Sequence, residues 1–284
     1  MLDPGLYLVA TPIGNLEDIT LRALRVLKEV DRIACEDTRQ TQKLLNHFDI
    51  STPTLSYHEH NEQARTVELI ALLQQGGRVA VVSDAGTPAF SDPGFELVRA
   101  AVAAGVRVIP IPGANAALGA LVASGLNTDR FMYVGFLPAK PGARRTELET
   151  LASKNPDLTL VIYEAPHRIL DTLTDVEAVW GERVRVVVAR ELTKIHEEYL
   201  RGTASEVRLA LSSRDRVRGE IVLLIQATTA AQPANENASV SQQLKHLMEA
   251  EVLDEKDALK RIARERGVSK SDVYRELQRE RSKK

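Results

Sequence analysis

Residues 78–94 read RVAVVSDAGTPAFSDPG, and they decide the fold. Val79, Ala80, Val81 and Val82 make the most apolar strand candidate of the N-terminal half, taken as 78–83. Two acids, two glycines, two prolines and the hydroxyls of Thr87 and Ser91 follow within 84–94. A helix is expected next, with Phe95, Val98 and Val102 along one face. Ordinary strand-to-helix connections run about 2 to 6 residues, so a longer one stiffened by Gly and Pro implies a loop that holds something. In open α/β sheets ligands bind at the carboxyl ends of the strands, where this loop falls.

The same alternation extends outward on both sides. Strands are expected at 6–10, 32–35, 54–57 and 107–111. Between them Leu21, Leu24, Val26, Leu27 and Val30 recur at helical spacing, as do Val67, Leu69, Ile70 and Leu73. A helix of small residues over 114–124 closes at Gly125. This predicts an N-terminal α/β domain over 1–124 with a largely parallel sheet. A second α/β domain, 125–228, has strands at 131–136, 159–163, 184–188, 198–201 and 220–225. Its last two strands are close together, so part of this sheet is expected to be antiparallel, since a parallel crossover needs a dozen or more residues. TTAAQPANENAS, 228–239, is polar and aperiodic, which predicts a linker over 229–239. In the unit 240–284, apolar stripes at Ala258, Leu259, Ile262, Ala263 and at Val273, Tyr274, Leu277 flank the turn Gly267-Val268-Ser269. That pattern is helix-turn-helix-like, and a plain two-helix hairpin packed on the body is the alternative.

Composition sets the outer bounds. With 44% hydrophobic and 27% charged residues the chain is an ordinary globular protein. The lone Cys35 excludes an internal disulfide, the N-terminal residues lack a signal-peptide pattern, and no apolar run approaches a membrane span, so a cytoplasmic location off the membrane is expected. Net charge is −2 but unevenly placed: 260–284 carries ten Lys or Arg against four Asp or Glu, a balance of +6, leaving 1–259 at −8. Lys260, Arg261, Lys270 and Arg275 make that end a candidate for an anionic partner, with a solvated, salt-bridged helix as the alternative.

Dinucleotide, P-loop, zincin, CxxC and GxSxG signatures are all missing, so the chemistry must lie in the loops after the strands. The first is Thr11-Pro12-Ile13-Gly14-Asn15, where Gly14 lets backbone approach a ligand. In the 84–94 loop, Asp84 and Asp92 are suited to ribose hydroxyls or an ammonium group. No third acid at close spacing supports a metal, and none is expected. Pro110-Ile111-Pro112-Gly113-Ala114-Asn115 completes this rim. CEDTR, ending in Arg39, and YHEHNE, 57–62, are further polar clusters after strands. In the second half, YEAPHR (163–168) and ARELTKIHEE (189–198) mix acid, imidazole and base. Glu191 or His196 could take a proton, and Arg168, Arg190 and Lys194 could hold phosphates; a structural ion-pair network accounts for the same charges.

Taken in order, ATPIGNLEDIT, CEDTR, SDAGTPAFSDPG, PGANAA, YEAPHR and ARELTKIHEE resemble the class III methyltransferases, the tetrapyrrole methylase superfamily, over residues 6 to about 226. The tail from Ala258 is similar to the C-terminal helical extension found in part of that family. The resemblance implies two α/β domains with S-adenosylmethionine in the cleft between them. By motif its contacts would be Pro12, Asp84, Ala85, Gly86, Thr87, Ser91, Asp92, Gly113, Ala114, Asn115, Leu137, Tyr163 and Glu191. It also implies methylation of the ribose 2′-oxygen of a cytidine in the decoding region of small-subunit ribosomal RNA, acting on RNA or the assembled subunit, and a homodimer. Tetrapyrrole-directed members usually carry a G-x-G-x-G-D-type loop after the first strand, where this chain has Pro12-Ile13-Gly14-Asn15, which argues against a corrinoid substrate. Two other functions stay open at this point: a methylase of the same fold acting on a tetrapyrrole or other small molecule, and a non-enzymatic regulator that senses an adenosyl ligand and binds nucleic acid.

Overall fold

The computed structural model describes residues 2–154, 157–227, 239–250, 254–265 and 268–281. The chain divides into two compact units, Met1–Thr229 and Ala230–Lys284.

The first unit holds two five-stranded sheets. In the first, β1 (Gly5–Val9), β2 (Arg32–Cys35), β3 (Thr54–Ser56), β4 (Arg78–Val82) and β5 (Val108–Ile111) are all parallel, in the order β3-β2-β4-β1-β5. Helices α1 (Leu21–Glu29), α2 (Thr38–His47), α3 (Glu62–Gln74) and α4 (Phe95–Ala103) connect them. Tyr7, Val9, Ile33 and Val82 face Val26 and Leu27 of α1 and Leu45 of α2. Leu6, Val79 and Val81 face Leu69 and Leu73 of α3 and Leu97 of α4. Burial on both faces is why these strands read as continuous apolar runs. Adjacent strands β1 and β4 send their connections opposite ways, β1 to β2 and β4 to β5. Their carboxyl ends therefore form a topological switch point, the place where such sheets open a ligand crevice.

The second sheet joins β6 (Phe131–Phe136), β7 (Leu158–Glu164), β8 (Arg185–Arg190), β9 (Glu198–Thr203) and β10 (Ile221–Ala227) in the order β6-β7-β10-β8-β9. It is mixed, as the sequence implies. The antiparallel pairs, however, are β8 with β9 and β10 with both β7 and β8; β9 and β10 run the same way on either side of β8. A short hairpin loop at 191–197, not the β9 to β10 connection, makes the reversal. Helices α6 (Pro141–Lys154), α7 (Ile169–Trp180) and α8 (Ala204–Ser212) belong to this half, and their buried residues join one face of its core. The small-residue helix α5 (Ala116–Ser124) covers the other face, with Ala117, Ala120 and Leu121 against Val161, Val187, Val222 and Leu224. Gly125, at φ 80°, terminates it.

Periodicity alone missed α2 and α6. Each buries few side chains, in α6 only Leu148, Leu151 and Arg144, whose Nε donates to Asp175 of α7 at 2.7 Å. An arginine filling a core position breaks an apolar pattern without breaking the helix.

The C-terminal unit contains three helices among its described residues, α9 (Val240–Ala250), α10 (Glu255–Glu265) and α11 (Lys270–Arg281). Val240, Leu244, Leu247, Leu259, Ile262, Val273 and Leu277 form its own core. Asp254 caps α10 through the Asp257 N–H (2.7 Å), and Ser269 caps α11 through that of Asp272 (3.2 Å). The Glu280 carboxylate accepts from Val240 N (3.0 Å), Ser241 N (2.8 Å) and Ser241 Oγ (2.6 Å), satisfying the open start of α9. The sequence reading found α10 and α11 and missed α9, which supplies a third side of the core. Gly267 and the linker, except Ser239, lie outside the described residues. No helix among the described residues is long and apolar enough to cross a membrane.

Candidate active site

The carboxyl ends of β1 and β4 are joined by a two-way backbone bridge: Thr11 N donates to Gly86 O (2.8 Å) and Gly86 N to Thr11 O (3.0 Å). Gly86 sits at φ +81°, and a Cβ there would meet Ile13 Cγ2 at 3.3 Å. The 84–94 loop is tied on its other side as well. Asn115 Nδ2 donates to Thr87 Oγ1 (3.3 Å), Thr87 Oγ1 donates to Ala114 O (3.3 Å), and Asp37 N donates to Asp84 Oδ1 (3.1 Å). Asn115 also caps α5, accepting from Leu118 N at 3.0 Å. Ala89 (φ 64°) and Ser91 (φ 61°) both hold left-handed backbone without being glycine. Such strain persists where surrounding structure over-determines it, and it clusters at ligand sites.

This loop meets the second sheet across an aromatic wall. Phe90 stacks on Tyr133 with ring centroids 4.0 Å apart, Ser91 Oγ lies 2.6 Å from Tyr133 Oη, and Tyr163 stands edge-on to Tyr133 at 5.3 Å. Between loop and wall is a cavity of about 300 Å³, at the small end of ligand-binding pockets. Ala85, Gly86, Thr87, Ser91, Asp92, Asn115 and Tyr163 line it. The other cofactor candidates stand behind the lining. Pro12 precedes the lining Ile13, Asp84 precedes Ala85, Gly113 and Ala114 precede Asn115, buried Leu137 follows Phe136, and Glu191 precedes Leu192. Gly113 packs on Ala10, which a Cβ would approach to 2.9 Å.

The electrostatics of the cavity floor favour a cation. Burial, then the neighbouring Glu36 charge, pushes the Asp92 carboxyl up to about 6. Burial and Asp84 raise Glu36 in turn. Acids that resist ionising side by side gain most from a positive ligand between them.

The second-domain loops are cross-braced. Buried Glu164 accepts from Ala165 N (2.7 Å), Thr172 Oγ1 (2.6 Å) and Arg168 Nη2 (3.2 Å), and Arg168 Nη2 reaches Leu137 O (2.9 Å). Arg190 pairs with Glu198, as does Arg214 (Nη2 to Oε2, 2.9 Å), and the two arginines hold Glu198 down to about 2. Lys194 Nζ bridges Glu191 and Glu220, each at 2.9 Å. Glu191 also accepts from Glu220 N at 3.0 Å, and these partners lower its pKa. His196 is exposed at the tip of the same loop and does not reach the cavity lining. Gly14 is close to the stem of Lys194, whose Cγ a Cβ would meet at 2.4 Å. The close approach predicted there is therefore made by a lysine of the facing loop. In the N-terminal half Arg39 pairs with Asp37 at 2.8 Å, holding that acid at about 2. In the C-terminal unit Lys260 pairs with Asp257 (2.9 Å) and Arg275 with Asp272 (2.8 Å), Arg261 is exposed on α10, and Lys270 begins α11.

Sequence reasoning missed Phe90, Phe136 and the stretch from Gly219 to Val222, which also line the cavity. The last has no motif. It arrives because β10 runs antiparallel to β7 and β8, bringing its amino end beside their carboxyl ends, with Ile221 opposite both Glu164 and Arg190.

Two α/β sheets, the first fully parallel and the second mixed, with a cavity where their loops meet, are the frame in which the chain's relatives are found. The family model for tetrapyrrole (corrin/porphyrin) methylases matches residues 5–208, and the chain belongs to that family. Curated relatives named ribosomal RNA small subunit methyltransferase I include the protein of Halalkalibacterium halodurans, 50% identical over 95% of this chain and 93% of that one. The Synechocystis protein of the same name is 48% identical over 95% of each chain. Among solved structures, the uroporphyrin-III C-methyl transferase of Thermus thermophilus, crystallised with S-adenosylhomocysteine, shares the fold: TM-score 0.54 at 19% identity, covering 78% of this chain and 98% of that one.

Proposed function

We propose that this chain transfers a methyl group from S-adenosylmethionine to small-subunit ribosomal RNA, at the ribose 2′-oxygen of a cytidine in the decoding region. The relatives' shared name supports the RNA substrate. The observation that carries the cofactor is the half-buried Asp92 beside Glu36 and Asp84, in a cavity also lined by Tyr163 and Phe90. A sulfonium cofactor with an ammonium group is a cation with a flat aromatic end. Carboxylates and aromatic faces suit it, and Gly86, at φ +81°, lines the cavity with backbone alone. When bound it supplies an electrophilic methyl. The chain aligns the acceptor oxygen and keeps water out, which in-line displacement chiefly requires.

The remaining expectations belong to this reading. The protein works in the cytoplasm as a homodimer, on RNA or the assembled small subunit, and the unit from 240 adds affinity for RNA. Glu191 and His196 stand outside the cavity lining, so either would take the hydroxyl proton at its mouth. Purified protein, incubated with small ribosomal subunits and methyl-labelled cofactor, should label one RNA position. The labelled position should resist alkaline cleavage on its 3′ side, because a methylated 2′-oxygen cannot attack the phosphate. Label on a base would refute the 2′-oxygen, and transfer only to a tetrapyrrole or to nothing would replace the reading.

A further inference from the structure

The cations singled out from sequence at the cavity mouth, Arg168, Arg190 and Lys194, all pair with carboxylates of their own loops. An RNA strand reaching the cavity needs other partners there. The connection from α8 to β10 has them. Arg216 and Arg218 are exposed on either side of buried Val217, which anchors that segment in the core of the second sheet. Neither guanidinium has an ion-pair partner among the described residues. Gly219, next after Arg218, lines the cavity.

The 191–197 loop stands beside this segment, and the Arg190 guanidinium bonds to both. Arg190 Nη1 donates to Arg218 O (2.9 Å) and Nη2 to His196 O (3.4 Å). On that loop Ile195 is 98% exposed. The loop is braced. Glu191 (φ 52°) and Thr193 (φ 65°) keep left-handed backbone, Thr193 N donates to Glu197 Oε2 (2.6 Å), and Lys194 ties the loop to Glu220. Packing does not require an isoleucine at the tip of a braced loop. An apolar wedge offered to a stacked nucleic acid does, because inserting it between bases unstacks them and turns the sugar outward.

We infer that Arg216, Arg218 and Ile195 form an RNA grip at the cavity mouth: the arginines seat two backbone phosphates of a single-stranded segment, and Ile195 unstacks the nucleotide whose ribose enters. This rests on the RNA reading above and adds the residues that present the acceptor.

The test uses the full chain with small ribosomal subunits. Arg216→Ala/Arg218→Ala should raise KM for subunits at least about 10-fold with unchanged cofactor affinity. It should also reduce the slope of log binding constant against log salt by about 1.5, as loss of two phosphate contacts requires. Ile195→Asp should lower kcat/KM about 10-fold or more, with Ile195→Met restoring most of it. Because Ile195 is exposed, its substitution leaves the fold intact. Wild-type KM and salt slope in the double variant, or full activity in Ile195→Asp, would overturn the inference while leaving the RNA reading in place. A raised KM with an unchanged slope would assign the contact to a ribosomal protein and overturn it too. Failure of the unsubstituted protein to methylate subunits would instead overturn the RNA reading itself.

Discussion

At the scale of single residues, Asp92 and Glu191 are opposites. Asp92 is desolvated among other acids, and its carboxyl is pushed up to about 6. Because this folded-state value lies above the ordinary 3.8, the stability it contributes is fully present below about pH 4 and lost as pH rises through about 6. Asp92→Asn should therefore stabilise the cofactor-free protein at pH 7.5, by on the order of 1 kcal/mol after allowing for solvent screening, with no gain at pH 4. Thermal melts across that range test it. Cofactor affinity should move the other way, since a cation prefers the ionised acid. Calorimetry should show binding about 10-fold weaker at pH 5 than at pH 7.5, and a flat profile in Asp92→Asn. Glu191, by contrast, is kept ionised by Lys194 and the Glu220 N–H, which makes it a weak base. Glu191→Gln is expected to slow single-turnover methyl transfer by less than about 10-fold. A loss of about 100-fold would assign it the proton.

At the scale of elements, the mouth of the cavity depends on how the loop before β10 sits on the loop after β8. Gly219, at φ +89°, makes this possible, since a Cβ there would lie 2.4 Å from Glu191 Cγ. Gly76 has a similar φ of +85° but open space around it. Gly76→Ala should thus cost only the backbone strain, about 1 kcal/mol. Gly219→Ala adds a clash with a salt-bridged carboxylate and should lower the melting temperature by a further few degrees, with reduced methyl transfer. Equal melting temperatures would show that the two loops yield without cost. Most strands were legible in sequence because strands buried on both faces, in either sheet, leave unbroken apolar runs. α2, α6 and α9 were not, because a helix that buries only one or two apolar residues per turn on one side, or uses an arginine stem as α6 does, leaves too weak a period.

At the scale of the whole molecule, the C-terminal unit has a core of its own, and its described helices carry exposed cations. Truncation after Thr229 should leave the body folded and cofactor affinity unchanged, and should flatten the salt dependence of subunit binding, because fewer counterions are released. Unchanged salt dependence would place the RNA contacts in the body alone, and unfolding would make the tail a structural element. By itself the sequence determined the alternation of strands and helices, the mixed character of the second sheet and the loops that hold the chemistry. These follow from local periodicity and from Gly, Pro and Asp at turn positions, which act over a few residues. Only the tertiary structure decided which charges are free. Arg190 looks like a phosphate ligand and is a brace, while Arg216 and Arg218 carry no motif and are exposed, with no ion-pair partner among the described residues. A side chain's partner is set by strands that meet from distant parts of the chain, as β10 meets β7 and β8, and no local pattern records that meeting.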